Sequence, residues 1–205
     1  MSSEHMITLG SQYLETIHSK TGSITKWKSW LADYRFHGEY RDDAYIWLAC
    51  ILALEAGSVG NFGVGCLMTD EVGDVILTGR NEVFSPYFRS DRHAEMVVLN
   101  AFEDRYKETP TMNGYVLYTS LEPCPMCLAR LIMSGIPTVL YAAPDSYGGM
   151  VQKMKEFPPA FLQFSQGHVF AQAQCSPALV QAASAIFEIN RNQMRGKLQA
   201  RQAER

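Results

Sequence analysis

No apolar run in this chain approaches the ~20 residues that a helix needs to cross a bilayer, which argues against an integral helical membrane protein. Charge of one sign is also scarce. The 205 residues carry a net charge of −3, with a pI near 6.0, so the chain as a whole has no electrostatic bias toward nucleic acid or an anionic membrane. The N-terminus, Met1-Ser2-Ser3-Glu4-His5-Met6, has no basic segment leading into an apolar core, which argues against a secretory signal. Cysteine is sparse and odd in number: five, of which Cys50 and Cys66 lie in apolar runs and read as small buried hydrophobes. That usage does not fit a disulfide scaffold and points to a reducing, cytoplasmic compartment. There is no internal repeat and no low-complexity run. Hydrophobic residues make up 47% of the chain, enough for one compact domain with a substantial core, or one domain with a small appendage.

The elements can be placed coarsely. A weak helical pattern runs from about Ile7 to His18. Ser23 can cap a second helix whose Trp27, Trp30, Leu31 and Tyr34 share one face. Residues 1–40 therefore read as an N-terminal helical extension, and 41–205 as the main domain. The tryptophan face of the extension is expected to pack as core; the alternative is that it covers a substrate mouth. Asp42 or Asp43 then caps an apolar helix, Ala44 to Ala56, ended by Gly57 and Gly60. Phe62 to Met68 and Val75 to Thr78 flank an Asp70-Glu71-Val72-Gly73 turn and read as a hairpin. After a loop, Asn81 to Arg92, His93 opens a helix to about Tyr106. Tyr115 to Thr119 reads as a strand, Cys124 to Ile132 as a helix stopped by Gly135 and Pro137, and Thr138 to Ala143 as a strand. A looser region, with a strand at His168 to Ala171, leads to Ser176-Pro177, an N-cap and first helical position for the last helix. Strands alternating with helices after the hairpin imply a sheet with parallel pairs, covered on both faces.

The chemistry concentrates in His93-Ala94-Glu95 and Pro123-Cys124-Pro125-Met126-Cys127. One imidazole and two thiolates suit zinc, and three protein ligands leave its fourth position for water. Zinc lowers the pKa of that water toward ~7. Glu95, two residues beyond the His, is placed to exchange protons with it. Cys124 and Cys127 are i and i+3, neighbours on one turn of helix. Both ligand groups fall at helix starts, where partial positive charge favours thiolate over thiol. A closed structural site would need a fourth ligand. Cys50, Cys66, Cys175 and His168 are present for it, but none has ligand-like spacing. Glu122, beside Pro123, reads as structural, because one carboxylate suffices for the proton transfers.

The pattern His93-x-Glu95…Pro123-Cys124-x-x-Cys127 resembles the signature of zinc nucleobase deaminases. From about Asp42 to Asp145 the chain resembles the cytidine/deoxycytidylate deaminase superfamily. Ser120-Leu121-Glu122-Pro123-Cys124-Pro125-Met126-Cys127 is most similar to the branch holding guanine deaminases and tRNA adenosine deaminases, and the 31-residue interval from His93 to Cys124 suits that branch. The resemblance implies an α/β fold, a three-layer α/β/α sandwich with a central mixed sheet of about five strands. It implies Zn2+ held by His93, Cys124 and Cys127, with Glu95 as the catalytic proton shuttle. It also implies a base contact from Asn81 at the end of the second hairpin strand, and another from the backbone of Ala94. Gly60-Asn61-Phe62-Gly63 resembles a pocket-lining Pro-Phe-Gly segment, which makes Phe62 a substrate-binding candidate although Asn61 replaces the proline. The family commonly forms homodimers through the zinc-site helices.

Substrate is less defined. Phe84, Tyr87 and Phe88 could stack on a planar ring, or pack as a hydrophobic loop on the N-terminal extension. A tRNA substrate needs a basic track for phosphates. The one cluster is Arg191, Arg195, Lys197, Arg201 and Arg205 in the last helix, where basic residues are also ordinary dipole partners. The expectation is therefore a small heterocyclic amine, guanine-like, with no membrane partner and RNA not favoured. A tRNA wobble-adenosine deaminase is the alternative enzyme, and a zinc-bound, catalytically silent scaffold the alternative non-enzyme.

Overall fold

Eight α-helices and five β-strands form within residues 3–203, the part of the chain that the structure, a computed structural model, describes. Strands β1 (Gly65–Thr69) and β2 (Val75–Arg80) make an antiparallel hairpin. Its turn is set by Asp70, whose Oδ1 accepts the backbone N–H groups of Val72 (3.1 Å) and Asp74 (2.9 Å), while Gly73 takes the positive φ of 83° that a turn here requires. β1 pairs antiparallel with β3 (Val116–Leu121), which pairs parallel with β4 (Thr138–Ala143), which pairs parallel with β5 (Val169–Gln172). The order β2-β1-β3-β4-β5 is an open mixed sheet of five strands, as the family resemblance implied, and it contains the parallel pairs that the alternation of strands and helices implied. β3 and β4 are almost wholly buried, which fits strands covered on both faces.

Two glycines mark the faces. A Cβ on Gly65 would stand 2.3 Å from the Ala49 carbonyl oxygen of α3 (Asp43–Ser58). A Cβ on Gly79, which pairs with the next residue, Cys66, would stand 2.8 Å from Val98 of α4 (Ala94–Arg105). Side chains alternate along a strand, so α3 and α4 cover opposite faces. α3 is buried on nearly every side, with Ile46, Leu48, Ile51, Leu52 and Leu54 in the core. A helix apolar all round needs neighbours all round. The sheet covers one side, and α1 (Ser3–Thr16), α2 (Gly22–Asp33) and α7 (Pro177–Glu188) cover the rest.

The N-terminal extension thus completes the core. Met6, Leu14, Ile17, Ile24 and Leu31 are buried in the same cluster as the sheet. Trp47 donates its indole N–H to the Leu31 carbonyl (2.8 Å), and Gly10 leaves room for its ring. Boundaries differ from the sequence reading in places. The N-cap of α2 is Thr21, not Ser23, and α1 begins at Ser3. The looser region holds a 3-10 turn at Met154–Glu156 and a short α6 (Pro159–Phe164). The last helix is two helices. They part at Asn190, which donates its amide to the Asn61 carbonyl (2.5 Å), and α8 (Arg191–Ala203) begins after it. Arg205 lies outside the described residues.

Asp42 is the N-cap residue of α3 but makes no side-chain cap bond. Its carboxylate accepts the backbone N–H of Gln174 (2.6 Å) and the Tyr118 hydroxyl (3.4 Å). Asp43 accepts the Ser176 N–H (2.7 Å), the Tyr34 hydroxyl (2.8 Å) and the His37 N–H (3.3 Å). Together they tie α2, α3, β3 and the start of α7 at one buried knot. Asp43→Ala strands these donors, so it is expected to lower unfolding free energy by about 2–4 kcal/mol. Urea unfolding checks this, and a loss well under 1 kcal/mol would show the knot to be incidental.

Candidate metal centre and active site

Two helix starts meet at the end of the hairpin and of β3. His93 is the N-cap of α4, with extended backbone (φ −70°, ψ 157°), and Cys124 is the N-cap of α5 (Pro125–Ser134) in nearly the same conformation (φ −72°, ψ 169°). Pro125 occupies the first helical position, where its missing N–H costs nothing and its ring fixes the backbone beside the ligand. Cys127 follows one turn along.

The His93 Nδ1 lies 3.5 Å from the Cys124 sulfur and 3.5 Å from the Cys127 sulfur. A tetrahedral zinc with Zn–N of about 2.0 Å and Zn–S of about 2.3 Å has an N···S edge of roughly 3.5 Å, so the three atoms fit the ion. The three ligand atoms lie within 4.8 Å of one another and form the one such metal-holding group among the described residues. Their electrostatics also fit a cation. Cys124 is pushed down to about 4 by a hydrogen bond from the Cys127 thiol, against the cost of burial, with His93 adding to the effect. Cys127 is held well above the usual thiol range by the Cys124 sulfur, by burial and by Glu95. Two sulfurs crowded beside a buried carboxylate are an arrangement that a divalent ion relieves.

Glu95, in the first turn of α4, is buried. Its Oε2 lies 3.4 Å from the Cys127 sulfur and its Oε1 3.5 Å from the Thr119 hydroxyl. Burial first, and the Cys124 sulfur second, push its carboxyl above the ordinary range, so it readily carries a proton. Glu122 is buried nearby and differently engaged. It accepts the backbone N–H groups of Asp145 (3.0 Å) and Gln152 (3.0 Å) and the Gln152 amide (3.1 Å). Its contacts are structural, holding the 145–152 segment to the end of β3.

A cavity of about 340 Å³ opens over the centre. Phe62, Asn81, His93, Glu95 and Cys124 line it. Asn81 follows β2; its Oδ1 accepts the Val83 N–H (3.2 Å). Ala94 is buried and does not line the cavity. Phe84, Tyr87 and Phe88 stand outside that lining as well, with the Phe84 ring 6.0 Å from that of the lining residue Phe62. Asn61 holds their loop: its Oδ1 accepts the N–H groups of Phe84 (2.7 Å) and Ser85 (3.1 Å). Phe84 and Phe88 face α8, beneath Lys197 (5.1 Å) and Arg201 (3.7 Å), while Tyr87 is 63% exposed.

Sequence reasoning missed the remaining wall. Asp145, Tyr147 and Gly148 come from the loop after β4, Phe187 from α7, and Arg195, Leu198 and Gln199 from α8. The signal present was the i, i+3, i+4 spacing of the α8 residues, hidden by reading the basic cluster as one charged face.

Comparison with known proteins accords with this geometry. The chain is 39% identical over 104 residues to a zebrafish (Danio rerio) protein named tRNA-specific adenosine deaminase 2, a match covering 48% of each chain. The chain therefore spans about half the length of that curated relative. A structure from work on A-to-I editing by tRNA:A34 deaminases superposes with a TM-score of 0.52 at 25% identity, covering 67% of this chain and 94% of the other. A guanine deaminase from Nitrosomonas europaea shares the fold, with a TM-score of 0.55 at 18% identity over 84% of this chain and 97% of the other. Residues 39–143 match the family described as the cytidine and deoxycytidylate deaminase zinc-binding region, and the chain belongs to that family.

Proposed function

We propose that the chain is a zinc-dependent hydrolytic deaminase that releases ammonia from a small amino-heterocycle, guanine-like in preference. The observation that carries the reading is Glu95: a buried carboxylate 3.4 Å from a ligand sulfur and lining the same cavity as His93 and Cys124. His93, Cys124 and Cys127 would hold the ion, which supplies the Lewis acidity that makes water a nucleophile near neutral pH. Glu95 would take one proton from that water and give it to the ring nitrogen beside the attacked carbon, then take the second from the new hydroxyl on that carbon and give it to the amine as the C–N bond breaks. Its raised proton affinity suits each of these transfers. Phe62 offers a ring face to the base, and Asn81 an amide edge.

The α8 wall supports a small substrate. Its Arg195, Leu198 and Gln199 enclose part of the cavity, and Arg195, Lys197 and Arg201 each lie over an aromatic ring. A tRNA wobble adenosine is the second reading, favoured by the zebrafish relative's name, and it requires α8 to give way. Residues 1–40 act as a core-completing extension, since none lines the cavity. Met126 (38% exposed) and Met133 (59% exposed), seven residues apart on α5, offer an apolar face for a homodimer. No helix among the described residues is long and apolar enough to cross a membrane, and the five free cysteines suit a reducing cytoplasm.

Two measurements test this. In an ammonia-release screen over bases, nucleosides and an anticodon-stem RNA, Glu95→Gln is expected to lower turnover of the accepted compound by about 10²–10⁴-fold while zinc remains bound. Silence of the unaltered, zinc-loaded protein on every compound would favour the scaffold. Metal analysis after dialysis is expected to find about one zinc per chain in the unaltered protein and a large loss in Cys124→Ala; full retention in that variant would remove Cys124 from the ligand set.

A further inference from the structure

Arg195 stands on the cavity wall with its hydrogen-bonding capacity unused. Its guanidinium lies 4.0 Å over the Tyr147 ring, and among the described residues it makes no ion pair and no hydrogen bond. Besides Glu95, two carboxylates line the same cavity, yet neither takes it. Glu122 is occupied by Asp145 and Gln152, and Asp145 Oδ1 accepts the N–H groups of Tyr147 (3.0 Å) and Gly148 (3.0 Å). A guanidinium stacked by its face keeps its N–H donors at its edge, in a planar fork that matches two acceptors side by side.

Few base edges present that pair. The N7/O6 edge of guanine shows two adjacent acceptors; the corresponding edge of adenine shows an acceptor and a donor, and cytosine shows a donor at N4. In guanine, moreover, the amine is on C2, across the ring from N7 and O6. A base with C2 at the metal ligands keeps its N7/O6 edge free for another wall of the pocket. In adenine the amine belongs to that edge itself, so a fork placed there would meet the reacting group.

We infer that Arg195 is a specificity-determining residue whose fork reads the paired N7 and O6 acceptors of a 2-amino-6-oxopurine held with its 2-amino group toward His93, Cys124 and Cys127. This rests on the deaminase reading and narrows its substrate to that class of purine. Leu198 and Phe187, on the same cavity, add apolar surface without reading the edge.

The test uses the zinc-loaded Glu95→Gln chain, in which ligands bind without turnover. Binding of 2-aminopurine, which lacks O6, is followed by its fluorescence, and guanine and 7-deazaguanine, which lacks N7, compete. With Arg195 present, guanine is expected to bind about 5–150-fold more tightly than either analogue, the worth of one bidentate contact. In Arg195→Met the three affinities converge, and in Arg195→Lys, a point charge without a fork, the preference falls between. Equal weakening of all three ligands in Arg195→Met, with their ratios kept, would make Arg195 a packing residue and overturn the inference. So would a parent that binds guanine no better than 2-aminopurine, or that binds no purine. The deaminase reading fails separately: if guanine binds with the Arg195-dependent preference but the chain with Glu95 intact releases no ammonia from it, recognition stands and catalysis does not.

Discussion

The site depends on two helix N-termini arriving within one tetrahedral edge of each other. His93 and Cys124 are both N-cap residues with extended backbone, so each side chain leaves its helix at the first turn. The 3.5 Å approach of His93 Nδ1 to both sulfurs follows from where β1 and β3 place those helix starts. The sheet has to be rigid for that. Gly65 and Gly79 let α3 and α4 press against opposite faces of the hairpin, and Glu122 fixes the 145–152 segment to the end of β3. The helix ends then favour the thiolate at Cys124. Three acidic groups, Cys124, Cys127 and Glu95, crowd one buried place with only the His93 imidazole to offset them, so a bound cation suits the set.

The platform beneath it is held by polar contacts as much as by apolar ones. Asp42 and Asp43 take donors from backbone and side chains far apart in sequence, among them Gln174, Ser176, Tyr34 and Tyr118. Buried carboxylates are tolerated when their lone pairs are filled, and these are. The N-terminal helices enclose α3 rather than the cavity, with Trp47 seated on Gly10 and bonded to Leu31. Without them the Trp47 and Ile51 face of α3 would have water on one side.

Much of this was legible in the sequence for identifiable reasons. Thr138 to Ala143 is a strand with the bounds expected, because an apolar run between Pro137 and Pro144 leaves little choice. The Ser176-Pro177 start is real, and Ser176 accepts the Leu179 N–H (3.3 Å). The ligand trio was legible because its spacing is local on each helix and its residue types are rare. Contacts made at long range were not. Asp42 and Asp43 looked like caps, since capping is the commonest use of Asp before an apolar helix, and nothing local announces partners more than 130 residues away. The restraint on the Phe84 loop was hidden too, because the polar side chain that holds it, Asn61, sits over twenty residues earlier. The break at Asn190 was hidden as well: asparagine is tolerated within helices, and only its bond to Asn61 shows that it ends one.

The basic cluster in α8 shows why composition alone misjudges a binding surface. Read as a charged face, it invites nucleic acid. In the fold, Arg195, Lys197 and Arg201 each lie over an aromatic ring, and Arg191 pairs with Glu188. Each cation–π contact contributes about 0.5–1 kcal/mol at a site this exposed, so the three are worth on the order of a few kcal/mol. A polynucleotide that used the same cations for phosphates would first lose those contacts. It would also have to move the Leu198 and Gln199 wall before a base could reach Glu95 through that side. A free base needs neither step. The α8 helix is nonetheless lightly held, with Met194 its one buried residue among those described. The stability of this helix against the cavity, more than the chemistry beneath it, therefore separates a small heterocycle from a base presented on RNA.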